Sequence, residues 1–320
     1  MYSKHLVHSC TLRDDVMSIR LLHLNCLYAH DEGYAHGTYP PPWPTPWSTR
    51  CATLRRWIAH LDPDIITLNE VTKGRRADGA AVDMLADIVE GSALVHSVFG
   101  PACDEAMPFV SAGQYQGVNL GNAIASRWPI ARHMVSPPLS WVSAAGIGRG
   151  FSSKRTALWA SIATPTGPLD CVCTHLNSTG GRTPVQRQQQ DANRLEQMAE
   201  VMEFVCRQAK LAKPAGSTMP PILCGDMNDE ASSNCIRYAC GQHPGKNGAP
   251  SPIAMLDAWQ VANPDSVPHA WPGEFSAACT YLYGARVAKR SNCHTPSCMR
   301  AIHVHRVYHL FITACAACHA

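Results

Sequence analysis

The run Pro220-Pro221-Ile222-Leu223-Cys224 ends abruptly in Gly225-Asp226-Met227-Asn228, a carboxylate and an amide separated by one residue. An apolar run bounded by prolines reads as a buried strand. Strand side chains alternate with period two, so Asp226 and Asn228 project in parallel from its end. Such a pair can accept a proton from water, touch a hard cation through oxygen and donate to a phosphate oxygen. The same tetrapeptide also reads as a plain Asx turn. Three more side chains of this kind close other apolar runs: Asn25 after residues 18–24, Glu70 after 64–69, and His175 near the end of 169–176. Each alone has an ordinary reading, as a turn cap, a solvated strand end or a hydrogen-bonded core histidine. Ends of adjacent strands in a layered sheet converge in space, so together the four suit a metal and phosphate site.

The elements that must position them alternate between helix and strand. Leu54, Trp57, Ile58 and Leu61 fall at helical spacing and predict an amphipathic helix over 50–61, stopped by Asp62-Pro63. Val82, Leu85, Ile88 and Val89 predict a second helix over 80–90. Leu195, Met198, Val201, Met202 and Val205 predict a long third one, opening at Thr183 or Pro184 and running to about Lys210. Strands are predicted over 93–99, over 121–130 with a break at Pro129, and over 155–163 and 169–176. The last two are joined by Thr164-Pro165-Thr166-Gly167-Pro168 as a hairpin. Residues 255–259 read as a short helix or strand, and 280–283 as a strand. Pro40-Pro41-Pro42-Trp43-Pro44-Thr45-Pro46-Trp47 excludes helix and central strand; it reads as surface loop or PPII, or as a recognition peptide for an aromatic-lined groove. Lys73, Arg75 and Arg76 follow Glu70 and either steer an anionic substrate or form a solvated basic loop.

An apolar fraction of 46% in 320 residues is sufficient for a sizeable core. A net charge of +3 is too mild to imply nucleic-acid binding by charge alone. No apolar stretch reaches signal-peptide or membrane-span length, so a soluble, intracellular monomer is expected. Most of the fifteen cysteines stand singly in apolar runs (Cys26, Cys171, Cys173, Cys206, Cys224), which reads as small hydrophobes in a reducing compartment.

The order of these segments resembles the endonuclease/exonuclease/phosphatase (DNase I-like) superfamily. The matching motifs are Leu24-Asn25, Leu68-Asn69-Glu70-Val71, Gly121 to Ile130, Thr174-His175-Leu176, Arg187-x-x-Gln190 and Gly225-Asp226-x-Asn228, over about residues 18–280. The resemblance implies an α/β (α+β) four-layered sandwich, two packed mixed β-sheets flanked by helices. It implies a phosphoesterase using Mg²⁺, or Mn²⁺, to hydrolyse a phosphodiester or phosphomonoester by in-line water attack; nucleic acid is one substrate class left open. Glu70 would be the main metal ligand with Asn25 beside it. Asp226 would orient or deprotonate the water, Asn228 and His175 would hold the phosphate, and Arg155 would help orient the site or bind substrate.

The family's closing motifs are altered. Arg306-Val307-Tyr308-His309 has tyrosine where aspartate is expected, and the family's terminal Asp-His is missing. No carboxylate follows Glu274, while Cys293, His294, Cys298, His303, His305, His309, Cys315, Cys318 and His319 crowd the end. The expected organisation is an extension over 1–17, a catalytic domain over 18–284 and a replaced or truncated tail over 285–320. Other readings stay open: an inactive member that binds metal or phosphate, a zinc site in the tail, a haem-attachment match at Cys315-Ala316-Ala317-Cys318-His319, and His309 as a substitute histidine.

Overall fold

A computed structural model describes residues 18–27, 47–103, 117–140, 154–177, 183–212, 219–258, 261, 283–288 and 310–313, the backbone alone at 18, 103 and the last two segments. The Pro/Trp run over 40–46, the strand residues 280–282, His309 and the zinc and haem readings of the tail lie outside the described residues. The elements are β1 (Ser18–Asn25), α1 (Trp47–Leu61), β2 (Ile65–Arg75), β3 (Ala81–Asp83), α2 (Met84–Val89), β4 (His96–Cys103), β5 (Val118–Ser126) and β6 (Ile130–Val135). They continue with β7 (Ala157–Thr164), β8 (Gly167–His175), α3 (Pro184–Ala212), β9 (Ile222–Asp226), α4 (Asn234–Ala239), β10 (Met255–Asp257), β11 (Tyr283–Ala288) and β12 (Leu310–Thr313).

Two mixed sheets result. One runs β11-β1-β2-β5-β4 with β3 beside β2, and the other runs β10-β12-β9-β8-β7-β6. Each contains a parallel pair, β1 with β2 and β8 with β9, among antiparallel neighbours. Period-two alternation decides the layers. Ile19 and Leu21 of β1 join Ile65 and Ile124 against Leu158, Ala160, Cys171, Cys173, Ile222 and Cys224 between the sheets. Leu22 and Leu24, one residue out of phase, face Leu54 and Ile58 of α1 and Met84 and Ile88 of α2. On the far side, Val172 and Leu223 face Met198, Val201, Met202 and Val205 of α3. Helix, sheet, sheet and helix therefore stack as four layers around period-two strands.

Several elements differ from their sequence pattern. The helix expected over 80–90 begins only at Met84, because Ala81 to Asp83 pair with Lys73 to Arg75 of β2 and Asp83 caps α2 by accepting from Ala86 N. Lys73 and Arg75 of the basic run are thus strand, and Arg76 follows directly after it. In α1, Cys51 joins Leu54 and Ile58 in the core, while Trp57 and Leu61 are 43% and 37% exposed. The segment 121–130 divides between the two sheets, β5 ending at Ser126 and β6 opening after Pro129. β4 starts at His96 rather than residue 93. β11 pairs antiparallel with β1, and β12 lies between β9 and β10. Among the described residues no helix is long and apolar enough to cross a membrane.

Candidate active site

The carboxyl ends of the two parallel strand pairs meet at one edge of the sandwich, and a β-bulge aims the central carboxylate. Leu68 of β2 pairs with Ala123 and Val71 with Gly121, so Asn69 and Glu70 together oppose the single residue Asn122. Glu70 takes up the extra residue in the left-handed region, φ 57°. A non-glycine residue there is uncommon and strained, and a bulge re-aims side chains that a regular strand would send to opposite faces. Both Asn69 and Glu70 consequently turn towards the second sheet.

Asn69 builds the floor. Fully buried, it donates from Nδ2 to Asn122 Oδ1 at 2.7 Å and to the Thr174 carbonyl at 3.1 Å, and its Oδ1 accepts from the Asp226 backbone N–H at 2.8 Å. Asn122 donates onward to the Thr156 carbonyl at 2.9 Å, which also accepts from Thr174 Oγ1 at 3.1 Å. This buried network stitches β2 and β5 to β7, β8 and β9. Asn69, Asn122 and Thr174 lie inside the matching motifs, but the sequence assigned no role to them or to Thr156; their signal was the presence of polar side chains inside otherwise apolar strands.

Above the floor stand the predicted residues. Asn25 Nδ2 donates to Glu70 Oε1 and to Asp226 Oδ2, both at 2.9 Å, and its Oδ1 accepts from Leu27 N at 3.0 Å. Asp226 Oδ1 accepts from Asn228 N at 2.9 Å, and Asn228, also left-handed with φ 51°, donates from Nδ2 to the Leu176 carbonyl at 2.9 Å. His175 Nε2 lies 3.9 Å from Asp226 Oδ2, and its Nδ1 is 2.9 Å from Arg155 Nη1. Gly225 is required by packing, since a Cβ there would sit 2.1 Å from the Thr174 carbonyl oxygen. The structure thus brings together Asn25, Glu70, Arg155, His175, Asp226 and Asn228.

Lys73, Arg75 and Arg76 stay in the β2–β3 hairpin. Lys73 Nζ pairs with Asp83 at 2.7 Å, Arg75 donates to the Gly79 carbonyl at 2.6 Å, and Arg76 pairs with Asp78 at 3.2 Å. Lys154, which the sequence reading did not single out, lines the cleft between Glu70, Gly121, Asn122, Thr156 and His175. A larger surface cleft between α1 and α2 lies beside Asp62 and Pro63 at the start of β2, the far end from Glu70.

Helix α3 supports the site through residues one and two turns beyond Arg187-x-x-Gln190. Arg187 is exposed. The same spacing recurs at Arg194 and Gln197, both fully buried. Arg194 Nε donates to Asp229 Oδ2 at 2.9 Å, holding the loop after Asn228. Gln197 accepts from Asn177 N at 3.0 Å and donates to the Ser140 carbonyl at 2.9 Å.

Electrostatics follow from burial. Desolvation pushes the Glu70 carboxyl above its ordinary range, opposed by the Asn25 hydrogen bond and the Arg155 charge. Burial, with the Arg155 charge acting in the same sense, holds His175 well below the ordinary histidine value, so the ring is neutral at physiological pH. Glu70 Oε2 is buried and has no hydrogen-bond partner among the described residues. An orphaned carboxylate oxygen beside a second carboxylate suits a hard cation. Asn25 is turned otherwise: its amide nitrogen faces the carboxylates, and its oxygen would reach the same cation only after the amide turns over. Among the described residues no group of three His, Cys, Asp or Glu side chains forms a ready-made cage. A cation at Glu70 would keep much of its water, as Mg²⁺ commonly does.

Comparison with solved structures finds the same fold. An endonuclease/exonuclease/phosphatase from Beutenbergia cavernae is 18% identical, with a TM-score of 0.53, covering 92% of this chain and 70% of that one. The human Nocturnin catalytic domain with bound sulfate is 16% identical, with a TM-score of 0.54, covering 94% and 97%. A comparison with curated proteins finds no match. The sequence matches the profile of the Endonuclease/Exonuclease/phosphatase family over residues 22–275. With that match spanning most of the chain, and with the two mixed sheets and their outer helices in place, the chain belongs to the endonuclease/exonuclease/phosphatase family.

Proposed function

We propose that this chain hydrolyses phosphate esters, phosphodiester or phosphomonoester, with Mg²⁺ or Mn²⁺ held at Glu70. The family's name covers hydrolases of both kinds. The observation that carries the reading is the buried Oε2 of Glu70, without a hydrogen-bond partner among the described residues, on a carboxylate bridged to Asp226 by Asn25. When bound, the cation supplies Lewis-acid polarisation of a phosphate oxygen and a template for in-line displacement.

The chain's own residues do the remainder. Asn25 donates to both carboxylates at once, which fixes their separation and offsets their mutual repulsion. Asp226 is set by the Asn69 and Asn228 contacts, and its Oδ2 is the acceptor that orients the attacking water and takes its proton. His175, neutral and buried, donates from Nε2 to the phosphate as negative charge builds. Asn228 closes the loop over the end of β8 through Leu176 and so keeps Asp226 and His175 in register.

The test is release of p-nitrophenol from bis(p-nitrophenyl) phosphate and from p-nitrophenyl phosphate, with Mg²⁺ and with chelator. Wild type is expected to turn over at least one of them only with the metal, and Glu70→Ala and Asp226→Ala to lose about 10²-fold or more of that rate, as loss of a charge-stabilising group commonly does. Wild type as silent as both variants would overturn the catalytic reading and leave a member that only binds metal or phosphate.

A further inference from the structure

We propose that Arg155 is a positioning residue that holds His175 in one tautomer, the neutral ring with its single proton on Nε2. The inference rests on the reading of His175 as a partner of the phosphate ester. Arg155 Nη1 lies 2.9 Å from His175 Nδ1, a hydrogen bond between two nitrogens in which only one assignment of the proton is chemically available. A guanidinium carries five N–H donors, no acceptor, and does not give up its proton in proteins. His175 Nδ1 is therefore the acceptor, through its lone pair. A neutral imidazole with an unprotonated Nδ1 carries its proton on Nε2. That nitrogen faces Asp226 Oδ2 across 3.9 Å, too far for a direct bond and open to an intervening substrate oxygen.

The consequence inverts a common arrangement. Where a carboxylate holds the Nδ1–H of a histidine, Nε2 is left as a proton acceptor and the ring serves as a base. With an arginine at Nδ1, Nε2 can only donate. His175 is thereby excluded as the base that activates water, and that role falls to Asp226. Arg155 is itself set from behind: its Nε donates to Asn177 Oδ1 at 3.4 Å, and Asn177 N donates to Gln197 Oε1 at 3.0 Å. Gln197 is fully buried in α3, so the line from helix to ring proton runs through packed side chains. A role in binding substrate directly, which the sequence suggested for Arg155, makes a different prediction.

The experiment uses full-length protein labelled with ¹⁵N-histidine, free of metal and substrate, with His175→Gln to identify the ring signals. Two-bond ¹H–¹⁵N correlation spectra at neutral pH are expected to show His175 with Nε2 protonated and Nδ1 not. Arg155→Glu replaces the donor by an acceptor and is expected to move the proton to Nδ1. If that variant does not fold, Arg155→Met decides, since the Nδ1 resonance should shift towards that of a nitrogen without a donor. In turnover of bis(p-nitrophenyl) phosphate, Arg155→Met is expected to lower kcat by about tenfold or more with KM little changed, and Arg155→Lys to recover part of the loss. A wild-type ring protonated on Nδ1, or Nε2–H unchanged in Arg155→Glu with no Nδ1 shift in Arg155→Met, overturns the proposal. A raised KM with kcat intact in Arg155→Met also overturns it, in favour of a substrate contact. A chain inert towards both esters contradicts the functional reading, whereas the spectra judge Arg155 without it.

Discussion

Asn69 stands next to Glu70 and ties the two sheets together beneath the candidate site. Its amide meets Asn122, Thr174 and the Asp226 N–H at a fully buried position. Asn69→Ala is expected to lower stability by about 2–4 kcal/mol, since each buried polar group left unpaired costs about 1–3 kcal/mol. Urea denaturation of the variant measures it, and an unchanged midpoint would show that the floor relaxes without it. Asn25, Glu70, His175, Asp226 and Asn228 were legible because each is a polar residue ending an apolar run. Asn69 was not, because beside a carboxylate at a strand end it reads as one more turn residue. Arg155 was legible as a charge but not as an orienter of His175, since that role depends on an approach across β7 and β8. His23, a step below Asn25 on β1, donates or accepts at Thr67 Oγ1 at 2.8 Å and is buried, which brings its pKa down to about 3. Between that value and the 6.5 of an ordinary histidine the unfolded chain holds more protons than the folded one, so stability rises with pH across the window. It is complete above the unfolded value and is lost as pH falls towards 3. His23→Gln is expected to flatten acid unfolding over that window, by an amount on the order of a few kcal/mol. A pH profile as steep as wild type would contradict it.

At the scale of the element, the bulge in β2 and the parallel approach of β9 to β8 decide where the side chains go. Gly225 has no room for a Cβ because the Thr174 carbonyl oxygen would lie 2.1 Å away, and backbone cannot yield as a side chain can. Gly225→Ala is expected to destabilise by about 1–3 kcal/mol, the usual cost of overpacking, and to lower activity further by shifting Asp226 relative to His175. Thermal unfolding and turnover measured together check both halves; a stable, fully active variant would mean that β9 can move away from β8 without consequence. The sequence located β1, β7, β8 and β9 as short apolar runs bounded by turn or polar residues, and α3 by apolar residues at helical spacing. It misplaced the start of α2 because Val82 suits a helical stripe as well as a strand, and only the pairing of Ala81 to Asp83 with β2 tells them apart. The spacing of Arg187-x-x-Gln190 recurs at Arg194 and Gln197, and these two are the buried pair.

Across the whole molecule, the site exists only where the ends of the two sheets face each other, so it depends on the inter-sheet core beneath it. Cys171, Cys173 and Cys224 are fully buried in that core; the hydrogen bond with Cys224, then burial, raise the thiol of Cys171, and burial raises that of Cys173, well above their ordinary range. These three are expected to resist alkylation in the native protein and to react at once in denaturant, because thiolate and access are both required. Mass spectrometry after a short iodoacetamide pulse measures this; native labelling at Cys173 would contradict the packing of the sheets. The four-layer architecture was legible from the order of motifs. The insertion of β12 between β9 and β10 was not, because pairing between distant strands leaves no local signature. The proposed hold of Glu70 on a hard divalent cation is tested by Mn²⁺ binding to the full chain followed by electron paramagnetic resonance of the free ion. Wild type is expected to take up a single ion, competed by Mg²⁺, with affinity about tenfold or more weaker in Glu70→Gln, where the carboxylate oxygen a hard cation prefers has been replaced. Equal binding by the two proteins, or none by wild type, would contradict the account.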